Sequence, residues 1–283
     1  MSTVTITATD VNKLRQQTGA GMMDCRAALQ ETNGDFEAAI DYLRKKGQKV
    51  AAKRSDRDAK EGVVIAKTTA DKKVGIVINL TSETDFVAKN EDFINLALSF
   101  SETAINNNCT SLESLKACAY DNITVGDKIM ETVAKIGEKI DITSFERIEA
   151  ETVVPYNHAG YRVAVLVALN KPGNDAIEVA GKDVAMQIAA MNPVAVDPQS
   201  VPAETVAREK AIIMDQMKAD PKMEGKPEDM ISKIADGKIN AYFKENTLLA
   251  QPFVKDGSKT VGEFLKTIES DLTVTAFSRL NIG

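Results

Sequence analysis

The sequence predicts an α+β fold: an N-terminal three-helix domain, then a core of two related α+β subdomains with antiparallel sheets and a helical-hairpin insertion. Three observations carry that reading. Apolar residues recur at i, i+3, i+4 and i+7 in the first 54 residues, and β-rich runs take over after residue 60. A string near residue 124 then returns near residue 260. At roughly 100–200 residues per domain, 283 residues suit about two domains. A hydrophobic fraction of 43% with 27% charged residues describes a folded chain, not a disordered one.

Thr9 or Asp10 is expected to cap the first helix, which turns Val11 and Leu14 inward and stops at Gly19. In the second helix Cys25, Ala28, Leu29 and Thr32 share a face, and Asn33-Gly34 ends it. Asp35 caps the third, where Phe36, Ala39, Ile40 and Leu43 repeat the spacing. Residues 44–60 then carry eight basic side chains against Asp56 and Asp58, a local +6 inside a net charge of −6, so the rest sums to −12. So charged and apolar-poor a stretch reads as a solvated linker, with a boundary near residue 55. Nucleic-acid binding is the sharper alternative. It lacks interleaved aromatics, and the acidic remainder repels phosphate.

After the linker, residues 63–69 and 74–80 make a hairpin around Ala70-Asp71-Lys72-Lys73. Past Thr81-Ser82-Glu83-Thr84-Asp85 comes a helix with Phe93, Leu96, Ala97 and Phe100 on one face. Residues 151–156 and 161–169 make a second hairpin around Asn157-His158-Ala159-Gly160. Its following helix, 176–191, is expected to point Val184, Ile188 and Met191 inward. Thr124-Val125-Gly126-Asp127 leads a helix and then a strand at 140–148; Thr260-Val261-Gly262-Glu263 leads another and a strand at 272–280. Thr, Phe and Arg hold the same places in both nine-residue strands, which reads as an internal duplication. Domain boundaries follow: 1–54, 55–149, 150–192 joined with 245–283, and an insertion at 193–244. The insertion holds five of the eight prolines. Its Val206, Ile213 and Met217, set against Met230, Ile234 and Ala241, suggest an antiparallel helical hairpin.

Composition thins the field of enzymes. One histidine and three dispersed cysteines leave no credible zinc tetrahedron. No glycine-rich phosphate loop is present, and a Ser–His–Asp triad would need His158 without any Gly-x-Ser-x-Gly elbow. The expectation is a binding protein, not an enzyme, with no cofactor and no direct contact with nucleic acid or membrane. Its longest apolar run, 163–169, is far short of the ~20 residues that span a bilayer. An N-terminus of Met-Ser-Thr-Val-Thr-Ile lacks signal-peptide features, and scattered cysteines suit a reducing cytoplasm.

Four strings then combine: Thr18-Gly19-Ala20-Gly21-Met22-Met23-Asp24-Cys25-Arg26 followed by Asn33-Gly34-Asp35, Thr84-Asp85-Phe86-Val87-Ala88, Val133-Ala134-Lys135-Ile136-Gly137-Glu138, and Gln251-Pro252-Phe253-Val254. Together, in this order and over most of the chain, they resemble the signatures of the bacterial elongation factor Ts family. The resemblance implies a ubiquitin-associated-like head on the two-subdomain core. It also implies a cytoplasmic guanine-nucleotide exchange factor for the GTPase elongation factor Tu, as a heterodimer or a dimer of heterodimers.

It further implies a set of partner-binding residues. Asp85 and Phe86, flanked by Thr84 and Val87, approach the partner's magnesium and phosphate site, with the ring wedged between two partner helices. Met22 and Met23 make an apolar contact. Arg26 stands where a relative carries lysine, which keeps the charge but changes the hydrogen-bond geometry. Ile136 and Gly137 make a further contact, and His158 touches the partner's third domain. From the residues alone, plainer readings stay open. Phe86 would staple its own helix, Ile136 would sit in the core and His158 would be an ordinary turn residue. Of two adjacent methionines, one should be exposed. The sequence ends at Gly283, so the C-terminal helical module of some family members is expected to be absent. The alternative to an exchange factor is a simple interaction module working through the first three helices.

Overall fold

A computed structural model describes residues 4–223 and 227–282; the chain-end position Gly283 and the first three residues lie outside that description. The chain opens with α1 (Ala8–Thr18), α2 (Met22–Glu31) and α3 (Phe36–Arg54). The first half of the core follows as β1 (Glu61–Thr68), β2 (Val74–Ser82), α4 (Asp85–Ala88), α5 (Glu91–Asn106), α6 (Leu112–Ala117), β3 (Ala119–Tyr120), β4 (Ile123–Thr124), α7 (Val125–Ile136) and β5 (Asp141–Glu149). The second half holds β6 (Thr152–Asn157), β7 (Val163–Leu169), α8 (Asp175–Met191), α9 (Ala203–Ala219), α10 (Glu228–Asn246), β8 (Pro252–Phe253), β9 (Asp256–Thr260), α11 (Val261–Ile268) and β10 (Val274–Asn281). This is the expected α+β architecture.

The duplication is visible in the pairing. One sheet runs β1-β2-β5 and the other β6-β7-β10, each a hairpin whose second strand takes an antiparallel closing strand. Equivalent phenylalanines sit at equivalent places, Phe145 opposite Ile78 and Phe277 opposite Val167. The repeated Thr-Val-Gly-acid string is a capping box in both halves. Thr124 and Thr260 accept the N–H of Asp127 and Glu263, whose carboxylates accept in return. The glycine inside each box admits a carbonyl oxygen. A Cβ on Gly126 would lie 3.2 Å from the Lys116 oxygen, and one on Gly262 would lie 3.1 Å from that of Leu249. The repeat is longer than the sequence string, because a two-stranded ribbon, β3-β4 or β8-β9, precedes each box.

The two sheets face each other, and strand alternation sorts side chains between layers. Val63, Ile65, Ile76, Ile78 and Leu80 pack under α5 and α7. Val64, Ala66 and Val77 turn the other way to meet Val153, Ala164 and Leu166 between the sheets. Val165, Val167 and Leu169 then pack under α8 and α11. Burial on both faces explains why residues 163–169 are apolar throughout.

Several local expectations need correction. Thr7, not Thr9 or Asp10, caps α1; Asp10 is the third helical residue and its carboxylate accepts the Thr7 N–H at 3.0 Å. Val11, Leu14, Cys25, Ala28, Leu29 and Ala39 form the expected small core. The solvated linker is largely helix: α3 continues unbroken to Arg54. Gly47, Val50 and Ala51 extend its apolar stripe among the charges, with Val50 and Ala51 packed against the first core layer. Gly47 is buried where α3 meets α7; a Cβ there would lie 3.1 Å from both the Met130 carbonyl oxygen and the Ala134 Cβ. Met191 is exposed at the last turn of α8, and Ile177, Ala180, Val184 and Ile188 form the inward face. The hairpin α9/α10 packs Ile213 and Met217 against Ile239, Ile231, Ile234 and Phe243. Met230 and Ala241 are exposed, because the α10 stripe runs through Ile231 and not its neighbour. Val206 is half-buried. No described helix is long and apolar enough to cross a membrane.

Candidate functional site

The segment between β2 and α5 is a tight turn ending in α4. Phe86 lies on it and is 84% exposed, the most exposed of the large apolar residues described. It does not staple its own helix. Its neighbours face the other way: Ala88 is buried, and Val87 packs at the edge of the core beneath α5. Asp85 accepts a hydrogen bond from Lys89 Nζ at 2.6 Å, and this contact holds its carboxyl below the ordinary carboxylate range.

Two carboxylates tie that turn to the segment after α7. Glu138, just past α7, accepts the N–H groups of Glu83 and Thr84 at 3.1 and 3.0 Å and the Thr84 hydroxyl at 2.7 Å. Glu83 accepts the Lys139 N–H at 2.6 Å and the guanidinium groups of Arg54 and Arg57 at 2.9 and 3.0 Å. The Lys139 N–H first of all, with the two arginines, lowers the Glu83 carboxyl to about 2. Lys139 Nζ donates to the carbonyl oxygens of Ser55 and Arg57, which closes the end of α3 onto the same knot. Sequence reading missed Glu83, Lys139 and the role of Arg54. The available signal was Glu83, just before one motif, and Glu138, the last residue of another. Five of the eight basic residues at 44–60 (Arg44, Lys46, Arg54, Arg57 and Lys60) hold carboxylates.

Phe86 stands at the rim of a groove of ≈ 890 Å³ bounded by the end of α1, by α4 and α5, and by α7. Thr84, Val87, Ile136 and Glu138 line it too. Ile136 is 37% exposed at the last turn of α7, and Gly137 closes that helix in the left-handed region at φ 80°. Met22 and Met23 open α2 and are both exposed, by 52% and 73%, where one exposed methionine was expected. Arg26 is exposed one turn further along α2. The structure thus brings Thr84, Phe86, Val87 and Ile136 to one groove, with the methionines on the helical head.

His158 is elsewhere. It lies in the β6–β7 turn, exposed, with Nδ1 2.8 Å from the Tyr156 hydroxyl. A groove of ≈ 450 Å³ there also includes Val254, which is exposed at the β8–β9 tip. Buried Gln187 shapes that tip: its Nε2 donates to Gln251 Oε1 and the Pro252 carbonyl, and its Oε1 accepts the Val254 N–H at 2.8 Å. This accounts for the glutamine in Gln251-Pro252-Phe253-Val254. Among the described residues no group of three or more His, Cys, Asp or Glu is placed to hold a metal ion.

A family model described as elongation factor TS matches residues 83–283. The elongation factor Ts of Flavobacterium psychrophilum is 49% identical over 279 residues, covering 99% of both chains. The chain belongs to the elongation factor Ts family. The elongation factor Ts of Christiangramia forsetii is also 49% identical, over 278 residues, with 98% of this chain and 99% of that protein covered. That of Chlorobaculum parvum is 40% identical over 288 residues, again covering 98% and 99%. Within this member of the elongation factor Ts family, the turn at 83–88, the end of α7 and His158 all fall inside the matched stretch. The methionine pair and Arg26 precede it, within the length shared with the full-length relatives.

Proposed function

We propose that this chain is a guanine-nucleotide exchange factor that binds elongation factor Tu carrying GDP and promotes GDP release during translation elongation. The observation that carries this reading is Phe86, an aromatic ring held out to solvent on a doubly anchored turn in a chain of this family. A rigid ring entering an apolar cleft is an efficient anchor, because it buries a large area at little cost in side-chain freedom. Asp85 beside it brings a carboxylate to the partner's magnesium and phosphate site. Thr84, Val87, Ile136 and Gly137 form the surrounding contact, Met22, Met23 and Arg26 a second, and His158 a third on another partner domain.

No covalent step is required. GDP held by backbone N–H groups and magnesium is released when the cradle shifts, so the factor acts by binding the empty GTPase better than the loaded one. A thousandfold weakening of GDP needs about 4 kcal/mol of coupling. That is within reach of one wedged ring and several buried contacts. Coupling is reciprocal, so GDP must weaken the factor to the same degree.

That reciprocity supplies the test. Purified chain and elongation factor Tu should co-elute when nucleotide is stripped and separate when magnesium and GDP are added. Failure to co-elute, or a complex indifferent to GDP, overturns the proposal. A second reading, an interaction module using the helical head alone, is favoured by the exposed Met22 and Met23. It predicts that Phe86→Ala leaves complex formation and GDP release unchanged.

A further inference from the structure

The Phe86 ring is held in place by almost nothing of its own. At 84% exposure it has little packing to fix it, and α4, which carries it, is a four-residue helix. So short a helix does not stand alone, since nucleation costs more than one turn returns. Its N-cap residue, Thr84, makes no side-chain bond into α4 and gives its hydroxyl to Glu138 instead. The position of the ring is therefore set through the backbone, by the packing of Val87 and Ala88 after it and by whatever grips residues 83 and 84 before it.

We propose that Glu83 and Glu138 are positioning residues for Phe86, each carboxylate gripping the other segment's backbone so that the ring and the helical head keep one fixed relation. The inference rests on the exchange reading above. Glu138 takes two N–H groups and a hydroxyl from residues 83–84, and Glu83 takes the N–H of residue 139. The grip is reciprocal, so neither strand end can shift alone. Arg54 and Arg57 bind Glu83 while Lys139 Nζ binds the carbonyls of Ser55 and Arg57. The same knot thus fixes the exit of α3, where the chain passes from the methionine-bearing head to the core. A pre-ordered turn avoids ordering cost on binding. The benefit should appear when the ring enters the partner, not at first docking.

The test uses the full chain with two readouts. Hydrogen exchange of the free protein should show the amides at 84–88 exchanging about tenfold faster in Glu138→Gln, with other regions unchanged. In stimulated GDP release, Glu138→Gln should lower the saturating rate about tenfold while the half-saturating concentration moves less than about threefold. In a Phe86→Ala background the same change should add less than about twofold, since the carboxylate acts through the ring. Glu83→Gln should follow the same pattern, and melting curves establish that each variant is folded. Unchanged exchange at 84–88 overturns the proposal, as does an effect equally large without the ring. So does a pair of variants that both fail to fold, because the carboxylates would then serve folding and not position. Failure of the wild-type chain to stimulate release condemns the exchange reading instead, and hydrogen exchange still judges the grip.

Discussion

The backbone N–H of Lys139 donates to the Glu83 carboxylate at 2.6 Å, although 56 residues separate the two in sequence. With Arg54 sharing that Oε1 and Arg57 on Oε2, this contact holds the Glu83 carboxyl at about 2. A free glutamate titrates at about 4.3. A carboxyl depressed on folding adds stability that is present above the unfolded value and is lost as pH falls towards the folded one. Glu83→Gln should therefore melt below wild type near neutral pH, with the gap closing between about pH 4.5 and 2. Thermal melts at several pH values check this, and a gap that stays constant contradicts it.

Gly47 is one of the contacts through which α3 meets the core. A side chain there meets the Met130 carbonyl, which cannot rotate away. Gly47→Val should cost roughly 1–3 kcal/mol by prising α3 from α7, despite removing a helical glycine. Urea unfolding measures it, and an unchanged midpoint would mean that α3 and α7 are not in close contact.

Gln187 satisfies three polar groups at the β8–β9 tip from a buried position. Gln187→Leu would leave Gln251 and the Val254 N–H without that partner. Denaturant unfolding should show a loss of roughly 1–3 kcal/mol, against near-neutrality if the side chain were merely filling space.

Met22 and Met23 stand in solvent, so replacing both with alanine should change stability by no more than about 0.5 kcal/mol. Their thioethers suit an adaptable contact, and the double variant should raise the half-saturating concentration for stimulated GDP release about tenfold. Titration of the factor against loaded elongation factor Tu reads this directly. An unchanged half-saturation would remove the methionines from the interface.

Much of the fold was legible because periodicity reports burial. Phe93, Ala97 and Phe100, or Val184 and Ile188, face inward because their spacing matches the helix. The repeated Thr-Val-Gly-acid string was legible as a helix start, and the structure shows it as a capping box in both halves. What the sequence concealed is long-range. Gly47, Val50 and Ala51 are core contacts hidden among lysines, because charge dominates the reading of a helix whose other faces are solvated. The roles of Glu83 and Glu138 were concealed for a different reason: the backbone groups they grip lie more than fifty residues away, and no spacing rule connects them. In the site, motif strings pointed to Phe86 and Ile136, and exposure then separated the open ring from a staple.

The central claim is that the exposed Phe86 ring drives release of GDP from elongation factor Tu. Stopped-flow mixing of the chain with elongation factor Tu carrying a fluorescent GDP tests it most directly. Phe86→Ala should keep the wild-type melting curve, since the ring has almost no contacts to lose, yet slow stimulated release by about one to two orders of magnitude. Release from the variant at the wild-type rate would contradict the account.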